Sequence, residues 1–270
     1  MTPEFTLGII GMGHIATVIA RRLVEAGFCS AHELIAVDVR AIDVPGLPIV
    51  VARDACELLA RSNRVLIAVR PQQFPALASV IRETVRDDQL LISIMAGMPT
   101  TAIASALSPR HPRIVRCMPN LPFERGRGVT GVFAGPGASE ADVIDVRRIF
   151  DAGGSTLVIH DEAQMDVVTA LAGSGPAYFY YFVEVMAKAG AALGLSHEQA
   201  QQLAAHACLG AGEMMTRPGA SPRALREAVT SAGGTTEAAL RELAAGPLAD
   251  ALTRAVEAAH RRGVELGKRL

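Results

Sequence analysis

The chain has 270 residues, half of them hydrophobic and 20% charged, with basic and acidic side chains balanced to a net charge of −1. That length supports two domains, each with a core. The balance leaves no basic surface for nucleic acid or an acidic membrane, and 4% aromatics without tryptophan offers few rings for base stacking.

The N-terminus has no basic stretch, and its first apolar run is broken by Gly8, Gly11 and Gly13. No secretory leader is expected, and a cytoplasmic location is. Cysteines at 29, 56, 117 and 208 are scattered and read as reduced thiols. The seven histidines show no ligand spacing, so no metal is expected.

Residues 7–10 read as a strand and 15–26 as a helix, joined by Gly11-Met12-Gly13-His14-Ile15-Ala16. Gly11 permits the tight turn, Gly13 lets a pyrophosphate approach backbone N–H groups, and Ala16 fills the third small position. In this context Gly11, Met12, Gly13, His14 and Ile15 are expected to hold NADPH or NADH. The next strand, 34–39, carries Asp38 near its end. An acidic residue there binds the adenosine ribose 2′-OH, whereas Arg40 suits a 2′-phosphate; the choice of dinucleotide stays open. Residues 41–48 are too few for a full helix.

Further strands at 65–69, 90–94, 114–118, 129–134 and 156–159 alternate with helices at 55–61, 72–85, 101–107 and 139–150. Apolar strands alternating with helices predict an α/β fold, a Rossmann-type parallel sheet covered on both faces. Ligands of such sheets bind at the carboxyl ends of strands. Ala68, Val69, Arg70 and Pro71 are therefore expected to line the crevice with Met95, Ala96 and Gly97.

After His160 no strand pattern returns. Helices are expected at 162–171, 176–193, 197–215, 222–229, 236–245 and 247–267. The predicted division is a dinucleotide-binding domain, 1–160, and an all-α domain, 161–270, whose small and apolar faces suit a second subunit. The uncharged run 167–183 is short for a membrane span and is interrupted by Gly-Ser-Gly-Pro, so it reads as a helix buried in protein. The only lysines are Lys188 and Lys268. Near the end stands Val229-Thr230-Ser231-Ala232-Gly233-Gly234-Thr235-Thr236. Its glycines allow N–H groups to converge on an anion at a helix start, with Thr235 or Thr236 as N-cap.

Five stretches in order resemble the pyrroline-5-carboxylate reductase family: GMGHIA at 11–16, AVRPQ at 68–72, RCMPNLP at 116–122, MDVVTALAGSGPAY at 165–178 and VTSAGGTT at 229–236. The resemblance implies reduction of a cyclic imine, 1-pyrroline-5-carboxylate, to L-proline by hydride from NADPH or NADH. It also implies a C-terminal dimerisation domain, with a homodimer that assembles into rings. Carried over by residue, Gly233, Gly234, Thr235 and Thr236 would hold the substrate carboxylate, and Glu162 would lie by the substrate, the alternative being that it caps its own helix. Thr236 would give its hydroxyl to the ring nitrogen, with Ser231 the second catalytic hydroxyl. Ser174 and Gly175 would sit on the nicotinamide side, and Pro119 and Asn120 would line the cofactor pocket.

A protonated imine already accepts hydride, so placement and hydroxyl contacts suffice and no catalytic lysine or histidine is expected. The lysine shortage counts against a β-hydroxyacid dehydrogenase. Departures from the family pattern are Ala172, Ala232, Leu121, Arg70, Gly219 and Ala228. They leave as alternatives a paralogue reducing a six-membered imine and a silent dinucleotide-binding sensor.

Overall fold

The computed structural model describes residues 4–268. Short apolar runs set the strands: β1 (Leu7–Ile10), β2 (Leu34–Val37), β3 (Val50–Val51), β4 (Arg64–Ile67), β5 (Leu90–Ser93), β6 (Arg113–Met118), β7 (Gly128–Ala134) and β8 (Gly154–Ile159). They form one sheet in the order β3-β2-β1-β4-β5-β6-β7-β8. The expectation of a parallel sheet holds from β3 through β6 and again between β7 and β8, but β7 runs antiparallel to β6. A parallel return needs a crossover of a dozen residues or more. Here a single 3-10 turn, Leu121–Arg125, joins β6 to β7, and the chain doubles back.

Five helices clothe this sheet: α1 (His14–Glu25), α2 (Ala55–Arg61), α3 (Phe74–Ile81), α4 (Thr100–Leu107) and α5 (Glu140–Asp151). Alternation along the strands divides the core in two. Leu7 and Ile9 pack with Ile19, Leu23, Phe123 and Phe150 on one face, while Ile10 packs with Ile35, Leu58, Phe74 and Ile103 on the other. Each such side chain, fully buried, contributes about 1.5–3 kcal/mol. Asp54 caps α2 by accepting from the Glu57 amide, and Ser139 and Asp142 close a reciprocal box at the start of α5.

Beyond β8 come α6 (Gln164–Val168) and a π-helical turn, Thr169–Gly173, before α7 (Gly175–Ala192). The extra residue in the turn has a local cause. Pro176 has no N–H to give the carbonyl four residues back, on Ala172. The Ala172 carbonyl accepts instead from Asn120 Nδ2 at 3.1 Å, and the Ser174 amide reaches back five residues to Thr169 O at 2.9 Å.

The chain divides into two compact units, one through Ser174 together with Ala259 onward, the other Gly175–Ala258. The expected boundary at 160 falls inside the first unit. Residues 161–174 stay with the sheet because Met165 and Ala170 are buried there and Glu162 and Asp166 pair with Arg116 of β6. The second unit is helical: the remaining helices are α8 (His197–Met215), α9 (Pro222–Ala228), α10 (Thr235–Ala245) and α11 (Leu248–Lys268), the last of which ends in the first unit. Among the described residues no helix is long and apolar enough to cross a membrane.

Candidate active site

The turn after β1 is fixed by its neighbours. Gly11 has φ +93°, its amide donates to Val37 O at 2.8 Å, and a Cβ there would lie 2.9 Å from the Ala68 backbone. Only glycine combines that dihedral with that approach. At Gly13, by contrast, an added Cβ would meet nothing within 4 Å, and Gly13 is the N-cap of α1 without any side-chain cap. Open space in front of uncapped helix amides is what a pyrophosphate requires. Met12, buried, and His14, exposed, flank that opening, with Ile15 half-buried behind. The residues present fit a dinucleotide.

Asp38 follows β2 directly and turns back over this loop. Its Oδ2 accepts from the Met12 amide at 2.7 Å, and its Oδ1 accepts from the Arg40 amide at 3.0 Å and from Arg40 Nε at 3.4 Å. Burial works to raise the Asp38 carboxyl, but the Arg40 and Met12 amides and the Arg40 guanidinium outweigh it and leave the group lowered. A cavity of about 190 Å³ opens here between Met12, Asp38 and residues 40–44. The loop has no helix, as expected from its length. A larger cavity, about 260 Å³, lies at the amino ends of β4, β5 and β6, where Arg64 pairs with Asp145 and Arg113 with Asp142. It sits at the wrong end of the strands for a ligand of this fold, and its charges are already matched.

The other two loops at strand ends differ in what they offer. Ala68 and Val69 are half-buried, and Arg70 is exposed, its amide donating to Gln73 Oε1 at 3.1 Å, before Pro71 opens a 3-10 turn. In the second loop Met95 is buried in the core, so only its backbone faces the crevice, and Ala96 is half-buried. Gly97 (φ +72°) lies against the end of α11: a Cβ on Gly267 would stand 2.3 Å from Gly97 O.

Glu162 is held by the start of α4 and by a buried arginine. Its Oε1 accepts from the Thr100 amide at 2.7 Å and its Oε2 from Thr100 Oγ1 at 2.9 Å, so it caps α4 from 62 residues away. Arg116, 4% exposed, adds Nη1 to the same carboxylate at 3.4 Å and Nη2 to Asp166 at 3.0 Å. Through these bonds Glu162 steadies the 95–100 segment. Asn120 is likewise turned inward. Its Oδ1 accepts from the Val129 amide at 3.0 Å while its Nδ2 holds Ala172, so its side chain ties the β6–β7 turn to the π-helical turn. Sequence reading missed Arg116 and Thr100. A buried arginine inside an apolar strand was the available signal for the first.

In the second unit, residues 229–236 form a turn into α10. The N-cap is Gly234, not a threonine, and no side chain caps it. Gly233 has φ +72°, and its amide donates to Glu237 Oε2 at 2.8 Å; the Gly234 amide donates to Ser231 O at 3.0 Å. Arg241 in turn pairs with Glu237 at 3.3 Å. Two of the four amides expected to form a cradle, those of Gly233 and Gly234, thus have partners within the chain. Those of Thr235 and Thr236, the first two of α10, have no intrahelical acceptor. Thr236 and Gly234 are half-buried, and Ser231, Gly233 and Thr235 are exposed. Lys188 pairs with Glu184 at 2.6 Å, and the side chain of Lys268 lies outside the described residues.

Comparison with known proteins adds a family to this geometry. Residues 162–266 match the family described as pyrroline-5-carboxylate reductase dimerisation, and residues 6–97 match NADP oxidoreductase, coenzyme F420-dependent. A pyrroline-5-carboxylate reductase of Pseudomonas aeruginosa is 37% identical over 220 residues, covering 82% of this chain and 80% of that protein. The solved structure of a pyrroline-5-carboxylate reductase from Coxiella burnetii matches with a TM-score of 0.89 at 30% identity, over 97% of this chain and 98% of that one. That of Plasmodium falciparum pyrroline carboxylate reductase, with NADP bound, matches with a TM-score of 0.88 at 26% identity, over 98% and 99%.

Proposed function

Because the chain belongs to the pyrroline-5-carboxylate reductase family, we infer that it reduces 1-pyrroline-5-carboxylate to L-proline. The observation that carries this reading is likeness along the whole chain at once, through the glycine loop and the helical region alike, rather than through a Rossmann domain shared by many chemistries. A bound NADH or NADPH supplies the hydride.

The protein's part is placement. The Gly11–Ile15 turn and the uncapped start of α1 take the pyrophosphate, with the strand-end loops at 68–71 and 95–97 bordering the nicotinamide half. In our reading the amides of Thr235 and Thr236 pin the substrate carboxylate at the positive end of α10. The Thr236 hydroxyl contacts the ring nitrogen as it turns from iminium to amine, with Ser231 as a second hydroxyl near it. The proton balance is simple: the imine nitrogen arrives protonated, its carbon gains hydride, and the C=N π bond becomes the amine lone pair. No strong general acid is needed, so orientation dominates the rate. Glu162 and Arg116 act through the 95–100 segment as positioning residues.

The partner is a second copy of the chain, and we propose that dimers assemble further into a ring. We also propose a cytoplasmic site of action, which four free cysteines suit. The test is direct: mix purified protein with 1-pyrroline-5-carboxylate or its six-membered analogue, follow loss of reduced-nicotinamide absorbance, and identify the product chromatographically. Formation of L-proline is expected. Turnover of the six-membered ring alone, or of neither, overturns the reading.

A further inference from the structure

We propose that the pocket at the carboxyl end of β2 selects NADH over NADPH, and that Asp38 makes the selection. This deepens the reading of the chain as a nicotinamide-dependent reductase and rests on it.

The Asp38 carboxylate is held against the glycine turn. The 2.7 Å bond from the Met12 amide ties it to the turn proposed to take the pyrophosphate and favours that position when a dinucleotide enters. A dinucleotide whose pyrophosphate lies at Gly13 brings its adenosine ribose to the end of the second strand. An ionised carboxylate has about four acceptor positions. Met12 N, Arg40 N and Arg40 Nε take three of them, leaving room for one more donor. A ribose 2′-OH is such a donor. A 2′-phosphate is an acceptor-only dianion and would meet a carboxylate with no proton to share.

Arg40 is the obvious counter-argument, since a guanidinium suits a phosphate. Two features weaken it. Its Nε already faces Asp38, and its side chain is 73% exposed, so a phosphate contact would be made in water and screened by salt. Asp43 also lines the pocket, which therefore holds two carboxylates against one guanidinium. Two carboxylates beside one guanidinium favour an uncharged hydroxyl over a 2′-phosphate dianion, with half-buried Asp38 weighing more than exposed Asp43.

Calorimetric titration of the full-length protein with NADH and with NADPH, without substrate, tests the inference. NADH should bind tighter by roughly tenfold or more, as a charge-assisted contact against a like-charge clash requires. Asp38→Asn keeps the shape, removes the charge, and should close most of that gap by tightening NADPH. Arg40→Ala should leave the preference standing. Equal or tighter NADPH binding by the unmodified protein overturns the selection, and needs no variant to fold. An undiminished preference in Asp38→Asn, or a selective loss of NADPH in Arg40→Ala, also overturns it. Binding of neither dinucleotide would instead bring down the reductase reading, and the selection with it.

Discussion

Thr236 is the second residue of α10, so one short side chain brings a hydroxyl beside two amides that the helix cannot use. If that hydroxyl stabilises the nitrogen as charge shifts, Thr236→Ala should lower kcat/KM for the imine by roughly 10²-fold, and Thr236→Ser should recover most of it. Steady-state rates at saturating dinucleotide check this, and an unchanged kcat/KM would remove Thr236 from the chemistry. Cys29 illustrates a different residue-scale effect. Burial pushes its thiol up to about 11 from an ordinary value of 9.0, with the Glu33 carboxylate adding to the shift. A group raised in the folded state gives its full stabilisation below its unfolded pKa and loses it as pH climbs through the folded one. The urea midpoint should therefore fall between pH 9 and pH 11, and Cys29→Ala should flatten that fall. Buried Cys117, pushed up by desolvation, works in the same direction and sets the residual slope.

Between elements, contacts decide what each loop can do. The end of α11 meets the 95–97 loop glycine to glycine, with the Gly267 Cβ position 2.3 Å from a backbone oxygen that cannot rotate aside. Gly267→Ala should therefore cost about 1–3 kcal/mol by forcing the helix off the loop. If the 95–97 loop borders the nicotinamide half as proposed, the change should also weaken dinucleotide binding; urea denaturation and calorimetry read the two effects separately. The strands and helices themselves were largely legible, since fully apolar four-residue runs between helical patterns have few other uses. β3 was not, because two residues, Val50 and Val51, carry no period. The reversal of β7 was hidden in a connection whose length alone argues for it. The π-helical turn was hidden because one added residue barely alters the hydrophobic pattern. Of the candidate site, the glycine loop was readable from spacing. The roles of Glu162 and Asn120 were not, because their partners, Thr100 and Ala172, lie 62 and 52 residues away. Nor could the sequence show that Glu237 would fold back onto Gly233.

For the whole molecule, the helical unit leaves more apolar surface uncovered than a lone chain tolerates. α7 has 18 residues, of which only Gly175 and Ala187 are buried, while Phe179, Tyr180, Tyr181 and Met186 are all at least half exposed. On α8 Leu203 and Leu209 are equally open, and only Ala200 and Ala204 are buried. Exposed aromatic and aliphatic side chains on two adjoining helices mark an interface rather than a solvated face. The match of residues 162–266 to a dimerisation family agrees with a second copy as the occupant. With a second copy covering this face, loss of the interface should also destabilise the fold of this unit. A charge in that surface, Phe179→Glu or Leu203→Glu, should convert the dimer to monomer in sedimentation velocity. It should also lower Tm and remove the rise of Tm with protein concentration that a dimer shows, whereas Arg125→Glu, on an exposed turn of the first unit, should leave the sedimentation coefficient unchanged. If either α7 or α8 variant sediments as the unmodified protein does, the apolar face of these helices is not what joins the two copies.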